Sequence, residues 1–327
     1  MFAKHLQPNI TSDTIERVPN RNGFGEGLLE AGKRDEQVVA LCCDLTESTK
    51  TDIFAKAFPK RFIEIGIAEQ NMASVASGMA TMGKVPFIMS YAAFSPGRNW
   101  EQIRTTIAYN DSNVKIVGAH AGISVGPDGA THQMTEDIGI MRALPNMIVI
   151  APCDVHEARK VALAAARHVG PVYFRIGRSE TPVVTTPESP FEIGKAEIMY
   201  TRNETFEKKI GIVSTGTLLH NALMAAVALE KEGIGCSVLH MATIKPLDTA
   251  TLATFASDHG ALVTVEEHQV ATGLGSAIAE YLSETNPTRI AMIGMRDTYG
   301  QSGEPDELMA HYGMDVPAIM AAAKKLV

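Results

Sequence analysis

Short, continuous apolar runs rich in β-branched residues recur along this chain between stretches of helical character, and that alternation leaves few architectures open. QVVALCCDL (37–45), VKIVGAH (114–120), MIVIAP (147–152) and VYFRIG (172–177) read as strands buried on both faces. GFGEGLLEAGKR (23–34), AEQNMASVASGMATMG (68–83), GRNWEQIRTTIAYN (97–110) and DVHEARKVALAAARHVG (154–170) read as helices, the last with Asp154 as N-cap and Gly170 as stop. Such alternation implies a mainly parallel sheet with helices on both faces, a doubly wound α/β fold. Residues 180–195, ETPVVTTPESPFEIGK, carry three prolines and no helical period, which marks a linker over 181–195. The pattern then restarts, with KIGIVST, GCSVLHM, ALVTVEEH and RIAMIGM as strands and TLLHNALMAAVALEKEG and GLGSAIAEYLSE as helices. The reading is two doubly wound α/β domains, 15–180 and 196–327, after an N-terminal segment of residues 1–14. A chain of 327 residues has room for both.

Bulk properties narrow the function. A chain that is 45% apolar and 20% charged can build cores and is too apolar for disorder. A net charge of −8 argues against nucleic acid as a partner, since phosphate contacts need a basic face. The opening MFAKHLQPNITSD lacks the apolar core of a signal peptide, and no run reaches the roughly 18 apolar residues of a membrane span. Cys42, Cys43, Cys153 and Cys236 follow no metal-ligand spacing and no disulfide pattern, so reduced packing residues are expected. A soluble, cytoplasmic protein without a membrane partner is the expectation.

In doubly wound sheets, ligands gather at the carboxyl ends of the strands, where loops lead into helices. Asp44 follows the first strand, Glu69 follows IEIGI (63–67), His120 ends VKIVGAH and Arg178 follows VYFRIG. The loop GPDGATHQ (126–133) adds Asp128 and His132. Each has an ordinary explanation. Glu69 suits the positive end of a helix, His132 suits a loop imidazole bonded to backbone, Arg178 could pair with Glu180, and Asp128 lies in a good turn tripeptide. Their accumulation at several junctions suggests one polar pocket.

The stretches RFIEIGIAEQNMASVASGMATMG, FIMSYAAFSPGRNWEQIR, GISVGPDGATHQMTEDIGIMRALPNMIVIAPCD and GPVYFRIGRSE together resemble the pyrimidine-binding domain of the transketolase family. They resemble that of 1-deoxyxylulose-5-phosphate synthase nearly as well. IVSTGT, IKPLD and VTVEEHQVATGLGSAIAE are similar to the transketolase C-terminal domain, so the resemblance spans roughly residues 15–325. It implies thiamine diphosphate as cofactor, which must lose the proton on its thiazolium C2 before it can act as a nucleophile. Glu69 matches the glutamate that bonds the cofactor's aminopyrimidine and so promotes that loss. Burial beside an aromatic ring would help the carboxyl group keep a proton available. Tyr91 and Phe94 match aromatics that cradle the pyrimidine, and Asp44 falls at a cofactor-binding position.

The resemblance also implies a phosphorylated sugar substrate. Arg21, Ser48, His120 and Arg178 match residues that grip its phosphate, an arginine fork with a hydroxyl and an imidazole. Asp128 and His132 match residues near the sugar's hydroxyls and carbonyl, with His132 suited to shuttle a proton. After Phe94 the segment SPGRNW departs from transketolase, and Arg98 aligns with an arginine of the synthase pattern. These enzymes hold the diphosphate through Mg2+ with a GDG motif in a separate pyrophosphate domain, and no GDG occurs in this chain. The Gly-rich ATGLGS (271–276) reads as tight packing or an unassigned anion site.

The expected protein is therefore the C-terminal subunit of a split transketolase. It would pair with an N-terminal pyrophosphate-domain subunit carrying the Mg2+ ligands, as a heterotetramer that is inactive without that partner. The reaction implied is transfer of a two-carbon ketol unit from a ketose phosphate to an aldose phosphate in the pentose phosphate pathway. The alternatives are the β-chain of a thiamine-dependent 2-oxoacid dehydrogenase component and a non-catalytic regulatory chain of the same fold.

Overall fold

The computed structural model describes residues 1–327. In chain order the strands are β1 (Arg17–Pro19), β2 (Val38–Cys42), β3 (Phe62–Glu64), β4 (Val85–Tyr91), β5 (Lys115–Ala119), β6 (Ile148–Ile150), β7 (Val172–Ile176) and β8 (Glu180–Pro182). They continue as β9 (Glu197–Tyr200), β10 (Lys209–Ser214), β11 (Gly235–His240), β12 (Thr243–Lys245), β13 (Ala261–Gln269) and β14 (Arg289–Met295). One sheet has the order β12-β6-β7-β5-β4-β2-β3, and a second has β14-β13-β10-β11-β9. Both are parallel except at one edge, where β12 and β9 run antiparallel to their neighbours. Every residue of β2, β5, β6 and β7 is buried, which is why these strands are continuous apolar runs instead of alternating ones.

Helices close both faces. The Asn20–Arg34 helix contains four glycines, each costing about 1 kcal/mol of helix propensity, and its packing explains them. A Cβ on Gly23 would stand 1.8 Å from the Val155 carbonyl oxygen, and one on Gly27 would stand 2.7 Å from that of Arg159. The Val155–Arg167 helix thus lies nearly backbone to backbone against it. Asp154 caps that helix by accepting from the Glu157 N–H at 3.0 Å, although the helix ends before Gly170. The helix expected over 97–110 begins at Trp100 and widens into π geometry from Ile103 to Ala108.

The proline-rich segment is tied down. β8 pairs antiparallel with β1, and the second oxygen of Asp154 accepts from the N–H groups of Val184 at 2.9 Å and Thr185 at 2.6 Å. The N-terminal residues lie along the second half, where Phe2 bridges Tyr200 and both Leu6 and Ile10 are buried. The two halves share more than a tether. β12, drawn from IKPLD, adds to the first sheet, and one apolar cluster runs from Leu41, Met72 and Ile88 to Val213, Leu239 and Leu274. A buried ion pair, Glu157–His240 at 2.9 Å, crosses the same boundary. Burial opposes charge on His240, but Glu157 outweighs it and raises the imidazole above its ordinary value; Glu157, also penalised by burial, is lowered in return by His240. All four cysteines are free and buried, and burial pushes Cys43 up to about 12. No helix is long and apolar enough to cross a membrane.

Candidate functional site

Five adjacent parallel strands, β7, β5, β4, β2 and β3, end along one edge, and the candidate residues sit on or after their carboxyl ends, except Arg21, which comes from the first turn of the Asn20–Arg34 helix. Asp44 and His120 leave β2 and β5 with φ of 57° and 54°. Such left-handed backbone costs a non-glycine residue about 1–3 kcal/mol and is concentrated at functional sites.

Glu69 opens the helix Glu69–Thr81 and is 2% exposed. Its carboxylate is bonded across the fold and not along its own helix. Ser90 Oγ at the end of β4 donates to Oε1 at 3.4 Å, and Arg98 Nη1 donates to Oε2 at 3.2 Å. Asn99 fixes its backbone, donating from Nδ2 to the Glu69 carbonyl at 3.1 Å. Glu69 thus lies in the first turn, at the positive helix end, and its carboxyl group also bonds residues beyond that helix. Arg98 lies against Glu69, with its guanidinium 5.6 Å from the Phe94 ring centroid.

Tyr91 and Phe94 form a flat aromatic wall, with rings 23° from parallel and centroids 6.0 Å apart. His132 stands edge-on to both, at 5.5 Å from Phe94 and 6.2 Å from Tyr91, and its Nδ1 lies 2.9 Å from Thr131 Oγ1. His120 stacks on Tyr91 at 3.9 Å. Burial, then the cations Arg21 and Arg178, push the His120 imidazole down to about 3, so it is neutral near pH 7. Arg21 Nη1 reaches within 3.5 Å of its Nε2, while its Nδ1 is buried without a partner.

Arg21 Nη1 donates to the Ser48 backbone carbonyl at 2.8 Å, which ties the Ser48 segment to this arginine. Burial and the facing Arg178 both lower Arg21 from its usual value; an anion between these two cations would relieve their repulsion. Arg178 Nη1 donates to the Val125 carbonyl at 2.9 Å and to Asp128 at 3.2 Å, not to Glu180. Asp128 ends the Ile123–Asp128 turn of 3-10 helix, with Gly129 at φ 73° allowing the chain to reverse toward His132. Asp44 is exposed, and its N–H donates to Glu64 Oε1 at 2.8 Å; no side-chain hydrogen bond or ion pair ties it to the aromatic and arginine group.

Several supporting residues were not legible as such. Glu64 also accepts from Gly66 N–H at 2.9 Å and Thr46 Oγ1 at 3.0 Å, shaping the loop that presents Ser48. Asn20 accepts from Gly177 N–H at 2.7 Å and donates to the Pro152 carbonyl at 3.3 Å, fixing the exit of β7 beside Arg178. A polar residue opening a helix was the signal available for Asn20. At ATGLGS, Glu266 accepts from the Leu274 and Gly275 N–H groups at 2.7 and 2.8 Å, so the chain's own carboxylate fills that helix start. Burial pushes Glu266 up to about 8 against those two hydrogen bonds.

Residues 16–184 match the pyrimidine binding domain of transketolase, and residues 199–319 match the transketolase C-terminal domain. The chain belongs to the transketolase family. It is 44% identical over 302 residues to a Methanocaldococcus jannaschii protein with the provisional name transketolase C-terminal section, covering 91% of this chain and 93% of that one. It is 35% identical over 308 residues to one of the subunits of the apulose-4-phosphate transketolase of Phocaeicola vulgatus, covering 94% of this chain and 97% of the relative. Among solved structures, a split-gene transketolase in an inactive beta4 tetramer superposes with a TM-score of 0.87 at 43% identity, covering 94% of this chain and 98% of that one.

Transketolases depend on thiamine diphosphate, and the residues here fit the pyrimidine end of that group. A buried carboxyl group faces the same edge as a flat aromatic wall, with an unpartnered imidazole nitrogen beside it. The wall suits a heterocycle's face, and the carboxyl suits a ring nitrogen.

Proposed function

We propose that this chain is the C-terminal subunit of a split transketolase, sharing its active site with a separate pyrophosphate-domain subunit that carries the Mg2+ ligands. The reading rests above all on one observation: Glu69, the Tyr91–Phe94 wall, His132 and the facing Arg21 and Arg178 converge along one strand edge. Relatives of nearly the same span bear the names of transketolase sections or subunits.

Thiamine diphosphate, when bound, supplies a carbon nucleophile that can attack a ketose carbonyl and hold the two-carbon unit between donor and acceptor. Glu69 would bond the aminopyrimidine nitrogen, Tyr91 and Phe94 would orient the ring, and Asp44 would be a further cofactor-binding residue. Arg21 and Arg178 supply the positive charge that grips the sugar phosphate, while neutral His120 and the Ser48 segment shape the grip. Asp128 orients substrate hydroxyls. Cleavage of the donor's C2–C3 bond takes a proton from the C3 hydroxyl, and addition to the acceptor aldehyde returns one to its oxygen. His132 is the imidazole offered for that exchange.

Cofactor capture tests this. Titration of thiamine diphosphate with Mg2+, followed by circular dichroism, should saturate for the mixture of this chain with its pyrophosphate-domain partner and not for either alone. Equal saturation by this chain alone would refute the shared site.

A further inference from the structure

The loop that carries Asp128 and His132 is held from behind by the C-terminal domain. Gln133, 4% exposed, directs its Nε2 to three carbonyl oxygens: Ile123 at 3.1 Å, Gly126 at 3.3 Å and Gln301 at 3.0 Å. Two of these close the loop on itself, and the third ties it to the segment 299–305 that follows β14. That segment fits closely. A Cβ on Gly129 would meet Ser302 Oγ at 2.7 Å, one on Gly126 would meet the Gly303 carbonyl at 3.1 Å, and one on Gly300 would meet Gln133 Oε1 at 2.0 Å. The two ends of the loop are anchored to the same domain. Glu267 at the end of β13 accepts from Ser124 N–H at 2.7 Å and from Thr217 Oγ1 at 3.0 Å. Gln269 donates from its N–H to the Thr135 carbonyl at 2.8 Å, and its side chain reaches the Thr298 carbonyl at 2.9 Å.

We propose that the C-terminal domain sets the position of the substrate loop, with Gln133 as the positioning residue that couples segment 299–305 to Asp128 and His132. This inference rests on the transketolase reading for the role of the loop, but the brace itself does not. The two hydrogens on Gln133 Nε2 are shared among the three carbonyls, so removing the amide takes the donor from the loop and from segment 299–305 together. Gln133 makes no hydrogen bond to the aromatic wall or the arginines, so it acts through the residues that flank it. Displacement of catalytic groups by about 1 Å lowers rates on the order of a hundredfold.

The test compares wild type with Gln133→Ala and Gln133→Glu, the second nearly isosteric but lacking the donor. Gly300→Ala, whose φ is not left-handed, pushes on Gln133 from the opposite domain. In hydrogen exchange on the full chain, all three should lose protection over residues 121–134 and 298–305 while the strands keep theirs. In the complex with the partner subunit, KM for the ketose phosphate should rise about tenfold or more, with half-saturation by thiamine diphosphate unchanged. Unchanged exchange in all three variants overturns the proposal, as does loosened exchange with an unchanged KM. A wild-type complex that turns over no sugar phosphate refutes the transketolase reading instead, and the exchange result then still decides the brace.

Discussion

Replacement of Arg178 by alanine separates two jobs, the loop contacts seen in the structure and the proposed phosphate grip. Its Nη1 holds the loop of Asp128 through the Val125 carbonyl at 2.9 Å and Asp128 at 3.2 Å, while its charge, after burial, lowers Arg21. A hydrogen bond to a charged group contributes about 1.5–3 kcal/mol, and about 1.4 kcal/mol corresponds to a factor of ten. Loss of a phosphate contact of that kind should lower kcat/KM for a phosphorylated ketose by about 10- to 150-fold. The Asp128 pair is more than a third exposed on both sides, so its own loss should matter less, about 1 kcal/mol or below. An unphosphorylated ketose, used with the same acceptor, reports the loop contribution alone. The expected outcome is a large fall for the phosphorylated donor, a few-fold fall for the unphosphorylated one, and partial recovery of the former in Arg178→Lys, which keeps the charge but not the fork. Equal falls for both donors would show that Arg178 only holds the loop and that the phosphate grip is misassigned.

Other perturbations test other parts of the structure. Glu69→Ala should nearly abolish turnover in the complex while size-exclusion chromatography shows assembly intact; full activity would remove Glu69 from the mechanism. The Glu157–His240 pair should stabilise the fold fully between the unfolded-state values of 4.5 and 6.5, because His240 is raised and Glu157 lowered on folding. Its contribution fades as pH rises through the elevated His240 value, so urea denaturation should show His240→Gln more destabilising near about pH 6 than near about pH 9; a pH-independent difference would contradict this. Gly23→Ala sets a methyl group 1.8 Å from the Val155 carbonyl oxygen. It should lower stability by at least about 1–3 kcal/mol in thermal or denaturant unfolding, despite alanine's better helix propensity, and a stabilised variant would show that the two helices are not in contact as described.

The parts of the fold that sequence made legible are those whose signal is local. β2, β5, β6 and β7 are buried on both faces, so their composition is uniformly apolar. β4 is equally central, but Pro86 interrupts its apolar run. The antiparallel strands β1, β8, β9 and β12 have three or four residues each, too few for a period to emerge, and their pairing depends on distant partners. The proline-rich segment reads as a linker, and its clasp is not legible, because the carboxylate that holds it, Asp154, lies 30 residues away and already has a local role as a helix cap.

The candidate site shows the same division. Strand-to-helix junctions pointed to Glu69, His120 and Arg178, and the structure brings them to one edge with Tyr91, Phe94, Arg21 and His132. What could not be read were the contacts between elements: Arg98 folding back onto Glu69, Asn20 bridging to Gly177, Gln133 reaching across to Gln301. Polar groups of this kind carry no periodicity and acquire meaning only when the chain is folded. Nor was it legible that Ser48 presents a carbonyl, or that Glu266 fills the helix start at ATGLGS.

The most direct single measurement is ketol transfer from xylulose 5-phosphate to ribose 5-phosphate with thiamine diphosphate and Mg2+, on this chain alone and together with a pyrophosphate-domain chain. The shared-site mechanism predicts turnover only in the mixture, lost again with Glu69→Ala. Turnover by this chain alone would contradict the shared site, and a stable but silent complex would contradict the reaction.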